Sequence, residues 1–234
     1  MSKRLLGKAC IITGADLPAG EAAALRFAQE GALLLLSGID EQRLRSTVTK
    51  VKSFCPSLYS ILATPQQNAD NIVQTALRQF GTVDVLLHIT AEPTGHPLHE
   101  TPLDEWEQTF SNITDSTFHM CRAVLPCMQA HHRGSIIHLI STAALLGRQG
   151  RAALCAAQSA IPALTRSIAI DYAPYNIRAN FICTGSALSS LSDGNWEDAA
   201  NAAVFLASDE ATFMTGTSIC ADGGLTETDL GRSL

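Results

Sequence analysis

Apolar residues along this chain fall into short unbroken runs, separated by longer stretches in which they recur every three or four positions. The runs are KACIIT (8–13), ALLLLSG (32–38), SLYSILA (57–63), TVDVLLHIT (82–90), Ile136 to Ile140, IRANFIC (177–183) and TSICADGG (217–224). Their length, their branched aliphatic content and the turn residues around them predict strands, most of them buried. The stretches between predict helices. AAALRFAQEG (22–31) ends at Gly31, and DEQRLRSTVTKVKSF (40–54) carries Asp40 at its N-cap. NADNIVQTALRQFG (68–81), Leu103 to His131 with a break at Pro126, an alanine-rich run from Ala152, and WEDAANAAVFLAS (196–208) follow. Strands alternating with helices along a whole chain predict the α/β class: a parallel sheet covered on both faces.

Composition narrows this. A chain of 234 residues suits one domain with a full core. Hydrophobic residues make up 46% and charged ones only 16%, which calls for much buried surface, in a large core or a subunit interface. The net charge of −6 argues against nucleic acid and anionic membrane surfaces as partners. No apolar run reaches the roughly 18 residues of a transmembrane helix, and MSKRLLGKAC has no signal-peptide core. Cysteines at 10, 55, 121, 127, 155, 183 and 220 form no CxxC pair, so they read as reduced core thiols of a cytoplasmic protein rather than a metal site.

Candidate chemistry concentrates in two stretches. TGADLPAGE (13–21) joins a strand to a helix through a glycine-bearing turn, as dinucleotide-binding βα units do. GSIIHLISTAALLGRQGRAALCAAQSA (134–160) runs from a strand into the alanine-rich helix. Together with Gly31-Ala32, APYNIRAN (173–180), VFLASDEATFMTG (204–216) and the DGG near the C-terminus, they resemble the short-chain dehydrogenase/reductase family over nearly the whole chain. The resemblance implies a single Rossmann-like, doubly wound domain over 1–234. Its sheet would have about seven strands in the order 3-2-1-4-5-6-7, with a shortened substrate lid near 186–195 and a tail at 225–234.

It also implies that the chemistry is lost. Ser141 stands where the family has its serine, but the tyrosine position is Leu154 and the lysine position Gln158. Leucine transfers no proton. The remaining tyrosines, Tyr59, Tyr172 and Tyr175, and the lysines at 3, 8, 50 and 52 lie elsewhere in the pattern. Cys155 is a conceivable acid, though better read as core. The helical asparagine aligns with Ile113, and Asn112, one residue away, is expected to face elsewhere. In the cofactor turn Thr13, Gly14 and Gly20 match, but Pro18 replaces the middle glycine and has no N–H to donate. Pro18 also suits the first position of a helix on structural grounds alone.

Asp16 lies near the expected phosphates, where like charges about 4 Å apart repel by roughly 4 kcal/mol at an effective dielectric of about 20. It is expected either there, or capping the helix, or solvated. Gly38 and Ile39 stand where the family selects NAD or NADP and grip neither. Ala63 replaces the adenine-binding aspartate, and His88-Ile89-Thr90-Ala91 replaces Asn-Asn-Ala-Gly. His88 reads as a core or crevice histidine. Thr184-Gly185 replaces Pro-Gly.

The resemblance therefore points to a non-catalytic subunit that binds no cofactor itself and supports an intact paralogue carrying NAD(P). The expected assembly is a heterotetramer formed through helices near 104–128 and 152–172; one such pair serves anaerobic toluene degradation. The uncharged run Ala152–Thr165 suggests a helix buried on two sides, so Ala157→Asp or Ala160→Asp is expected to break the contact. An atypical NAD(P)-dependent oxidoreductase and a ligand- or redox-sensing regulator are the alternatives.

Overall fold

β1 (Ala9–Thr13), buried along its whole length, is an interior strand of a seven-stranded parallel sheet. The computed structural model describes residues 3–185 and 196–227 of the chain. The other strands are β2 (Leu33–Gly38), β3 (Leu58–Leu62), β4 (Val85–Ile89), β5 (Gly134–Ser141), β6 (Ile177–Thr184) and β7 (Ser218–Ala221). Their order is β3-β2-β1-β4-β5-β6-β7, as the resemblance implies, and every pairing is parallel, as the alternation of strands and helices predicts. β1, β4 and β5 are nearly continuous buried aliphatic runs because helices cover both faces. β3 and β7 are the edges, and their side chains are partly exposed.

The helices are α1 (Pro18–Gln29), α2 (Glu41–Val51), α3 (Pro65–Phe80), α4 (Leu103–Phe110), α5 (Ser116–Ala130), α6 (Ala152–Tyr172) and α7 (Trp196–Ala207). One face of the sheet packs on α1, α2 and α7 through Phe27, Leu44 and Val204. The other packs on α3, α5 and the C-terminal half of α6, through Ile72, Val124 and Ile168. A smaller cluster joins the N-terminal half of α6 to β5, β6 and Ile113, through Leu154, Ala157, Ile161 and Phe181.

Three details depart from the sequence reading. The stretch 103–131 is divided by a π-helical turn, Ser111–Asp115, while α5 runs on through Pro126. Side chains bonded back to the turn account for the division: Ser116 Oγ donates to the Asn112 carbonyl at 2.7 Å and Thr117 Oγ1 to that of Ile113 at 2.6 Å. α6 likewise passes through Pro162 and is long and apolar enough to cross a membrane by composition, yet half of that stretch is buried in this fold. Finally, Ala157 faces the core, fully buried, and its carbonyl accepts from Thr114. The outward face of α6 carries Ser159, Ala163, Arg166 and Ile170 instead, so Ala157→Asp probes the core and not a contact surface. The expected lid at 186–195 and tail residues 228–234 lie outside the described residues.

Candidate functional site

A crevice opens at the C-terminal ends of β1 and β4, where the strand order reverses; sheets of this kind bind ligands at that point. Two glycines let the backbone close up there. A Cβ on Gly20 would stand 2.0 Å from the Gly14 carbonyl oxygen. A Cβ on Gly14, whose φ is +67°, would stand 2.5 Å from that of Ile89. α1 begins at Pro18, and Leu17, its N-cap residue, offers no side-chain hydrogen bond. Helix N-termini attract anions through free N–H groups, and Pro18 withholds one of them.

Asp16 is neither at the helix cap nor in solvent. It is buried, and its Oδ2 accepts from the backbone N–H of Ile39 at 3.0 Å and of Asp40 at 2.9 Å. The carboxylate therefore ties the β1 turn to the end of β2. This explains Gly38 directly, because a Cβ there would meet Asp16 Oδ1 at 2.6 Å. A longer side chain at 38 and the Asp16 tie exclude each other. Asp40 caps α2 through the Arg43 N–H, and Ile39 is 66% exposed.

On the far wall, Ser141 Oγ accepts from Ala143 N–H at 3.2 Å and caps a short turn. Gln158, 1% exposed, accepts the Ser141 N–H through Oε1 at 2.9 Å. Its Nε2 has no hydrogen-bond partner among the described residues. Leu154, one helical turn earlier, is 3% exposed and packs with Ile113 and Phe181, facing the core. Thr184 Oγ1 donates to the Ile140 carbonyl. Cys155 is half-buried beside the same cluster. Tyr172 and Tyr175 lie at the other end of α6, and Tyr59 lies on β3.

Two cavities remain in the crevice. One, about 180 Å³, lies between Asp16, Ala63, Gln66, His88 and Asn112. The other, about 220 Å³, lies between Pro18, Ala91, Ser141, Gln158 and Thr184. Thr90 lines both cavities and Gln66 the first, and the buried Thr90 Oγ1 and Gln66 Oε1 have no hydrogen-bond partner among the described residues.

His88 sits at the floor, buried, with Nδ1 2.7 Å from Thr13 Oγ1 and Nε2 3.2 Å from Ser116 Oγ. Burial, and secondarily His138, lowers its pKa to about 3; burial lowers that of His138 to about 4. Both rings are neutral at ordinary pH.

Asn112 is a correction to the sequence reading. It lines the crevice, and its Oδ1 accepts from Gln66 Nε2 at 2.9 Å and Gln108 Nε2 at 2.8 Å. A regular-helix count turned it away, whereas the π turn changes which residues face the crevice. Gln66 went unnoticed because nothing in sequence marks a polar residue in the first turn of α3 as a wall of this site. The structure brings Gly14, Asp16, Pro18, Gly38, Ile39, Ala63, Ala91, Ser141, Gln158 and Thr184 to the crevice, and leaves Ile113 and Leu154 in the core behind it.

Comparison with known proteins fits this geometry. The short chain dehydrogenase family model matches residues 8–200, and that of enoyl-(acyl carrier protein) reductase matches 187–226. The chain is 30% identical to trans-4-hydroxycyclohexanecarboxylate dehydrogenase of Sinomonas cyclohexanicum, over 97% of this chain and 95% of that one. It is 28% identical to the 3-oxoacyl-[acyl-carrier-protein] reductase FabG of Thermotoga maritima, over 95% and 99%. Among solved structures, NAD+-bound xylitol dehydrogenase superposes with a TM-score of 0.86 at 25% identity, over 93% of this chain and 98% of that one.

Proposed function

The chain belongs to the short-chain dehydrogenase/reductase family, and from that premise we propose that it is a non-catalytic member. It supports an active NAD(P)-dependent paralogue, of alcohol or 3-hydroxyacyl dehydrogenase type, in a hetero-oligomer. The observation that carries this reading is the state of the two catalytic positions. Leu154 has no proton to exchange and points into the core, and Gln158 is committed to the Ser141 N–H. Positioned acid–base catalysis is worth about 10²–10⁴-fold, and neither of these two positions supplies it.

NAD(P) does not fit the turn as built. Pro18 removes one phosphate donor, and Asp16 holds a carboxylate beside the turn. The Asp16 tie also keeps position 38 free of the acidic side chain that would take ribose hydroxyls. NAD(P) would therefore reside in the partner. The outward faces of α4, α5 and α6 support an assembly through helices near 104–128 and 152–172: Leu103 is 72% exposed, Phe118 48% and Ile170 76%. Calorimetric titration of the isolated chain with NAD and NADP tests the reading. No saturable binding below the millimolar range is expected, and micromolar binding of either would overturn it in favour of an atypical oxidoreductase.

A second reading, a ligand-sensing subunit, is favoured by one observation. Gln66, Thr90 and Gln158 line the cavities, and their buried Oε1, Oγ1 and Nε2 atoms have no partner among the described residues, whereas buried polar atoms are usually satisfied. A small uncharged molecule could pair with them after a slight turn of the side chains, and Asp16 lines only the first of the two cavities. A thermal-shift screen of neutral metabolites on the isolated chain separates this reading from the first.

A further inference from the structure

We propose that Cys183 and Cys220 form a reversible disulfide under peroxide stress, a modification site that locks the last strand to its neighbour. β6 and β7 pair in parallel with Cys183 opposite Cys220. Registered residues of parallel neighbours point to the same face, and the strands run about 4.7–4.9 Å apart. That spacing falls inside the roughly 4.4–6.8 Å Cα separation of natural disulfides. The two side chains are near enough for Cys220 to affect the ionisation of Cys183. β7 is a short strand at the sheet edge, paired with β6 alone among the described strands, so it can shift toward its neighbour more easily than an interior strand.

The pair also has the asymmetry that such chemistry needs. Cys220 is exposed to an oxidant, and Cys183 is buried behind it. Burial, with Cys220 and Asp222 beside it, pushes the Cys183 thiol up to about 12 and keeps it protonated, so the exposed Cys220 meets the oxidant first and Cys183, opposite it, attacks afterwards. The Cys220 thiolate attacks hydrogen peroxide, the O–O bond breaks, and a sulfenic acid and hydroxide form. The sulfur of Cys183 then displaces the hydroxyl group, the S–O bond breaks, the S–S bond forms, and the Cys183 proton leaves in water. In total two thiols and one peroxide give one disulfide and two waters. The other five cysteines offer no comparable pair across a strand register: Cys10, Cys55 and Cys121 are buried, and Cys127 and Cys155 half-buried on different helices. The cross-link lies next to the site, since Thr184, the residue after Cys183, lines the crevice beside Gln158.

The test is peroxide treatment of the folded full-length chain, followed by alkylation, digestion and mass spectrometry without reduction. The expected result is a linked peptide joining Cys183 to Cys220 as the dominant cross-link, and a melting temperature raised by several degrees and restored by dithiothreitol. In Cys183→Ser, Cys220 should instead be over-oxidised, with no rise in melting temperature. In Cys220→Ser, Cys183 should stay reduced. Oxidation of Cys220 without linkage in the wild type, lack of reaction at both residues, or a mixture of cross-links matching that of the urea-denatured chain would each overturn the proposal.

Discussion

Restoring the family's tyrosine and lysine, Leu154→Tyr with Gln158→Lys, should destabilise this protein without making it an enzyme. Leu154 is packed against Ile113, Ala157 and Phe181. A larger ring there overpacks the cluster by about 1–3 kcal/mol, and its hydroxyl meets apolar groups. Gln158→Lys removes the acceptor of the Ser141 N–H, which leaves a buried donor unsatisfied at about 1–3 kcal/mol. The lysine head would sit where Gln158 is 1% exposed, and would have to shed its proton or distort the wall. The two sites are one helical turn apart, so their effects are not additive. About 3–5 kcal/mol for the pair is the expected loss, a large part of the roughly 5–15 kcal/mol stability of a domain. Urea unfolding of the wild type, both single variants and the double variant measures it, and NAD(P)-linked turnover is assayed where the double variant remains folded. A double variant within about 1 kcal/mol of wild type, turning over at the roughly 1–10³ s⁻¹ of ordinary enzymes, would refute the reasoning.

The remaining predictions address the cofactor turn, the histidine floor and the outer helix face. Gly38→Ala should destabilise the chain by about 1–3 kcal/mol by pushing Asp16 off the Ile39 and Asp40 N–H groups. Most of that loss should vanish in an Asp16→Ala background, and additive losses in a double-mutant cycle would disprove the tie. His88 and His138 titrate in the fold at about 3 and about 4, below an unfolded value near 6.5. Their contribution is complete above about pH 6.5 and is lost as the pH falls toward the folded values, by up to about 1.4 kcal/mol per pH unit for each group. Urea midpoints from pH 7 to pH 5 should fall accordingly, and less steeply in His138→Asn; an equal slope in that variant would exclude the ring as the source. Ala163→Asp, on the exposed face of α6, should leave the melting temperature of the isolated chain within a few degrees of wild type while dissociating the complex with the paralogue. Sedimentation velocity of the co-expressed pair reads the outcome.

The fold was legible because its signals are additive. β1, β2, β4, β5 and β6 are contiguous aliphatic runs, and a long alternation with helices leaves few topologies. Spacing along one strand–helix unit singled out Ser141, Leu154 and Gln158, of which the structure puts Ser141 and Gln158 on the crevice wall and Leu154 in the core behind it. What the sequence did not reveal depends on contacts between distant segments. Asp16 reaches across to residues 39 and 40, a tie no local pattern encodes, and Gly38 makes sense only once that tie is known. Asn112 entered the crevice through a π turn that helical counting assumes away. Nothing in the sequence marks Ala157 as inner or outer, because a charge-free alanine-rich helix has little amphipathic contrast and its buried face is not signalled.

The central claim, that this chain supports an active paralogue rather than acting alone, is tested most directly by tagging it in its native cell, purifying it gently and weighing the intact complex by native mass spectrometry. The account predicts a hetero-oligomer containing a short-chain dehydrogenase with the tyrosine and lysine in place, whose NAD(P)-linked activity falls when this chain is removed. A homo-oligomer or monomer that itself turns over NAD(H) or NADP(H), with no such partner bound, would contradict it.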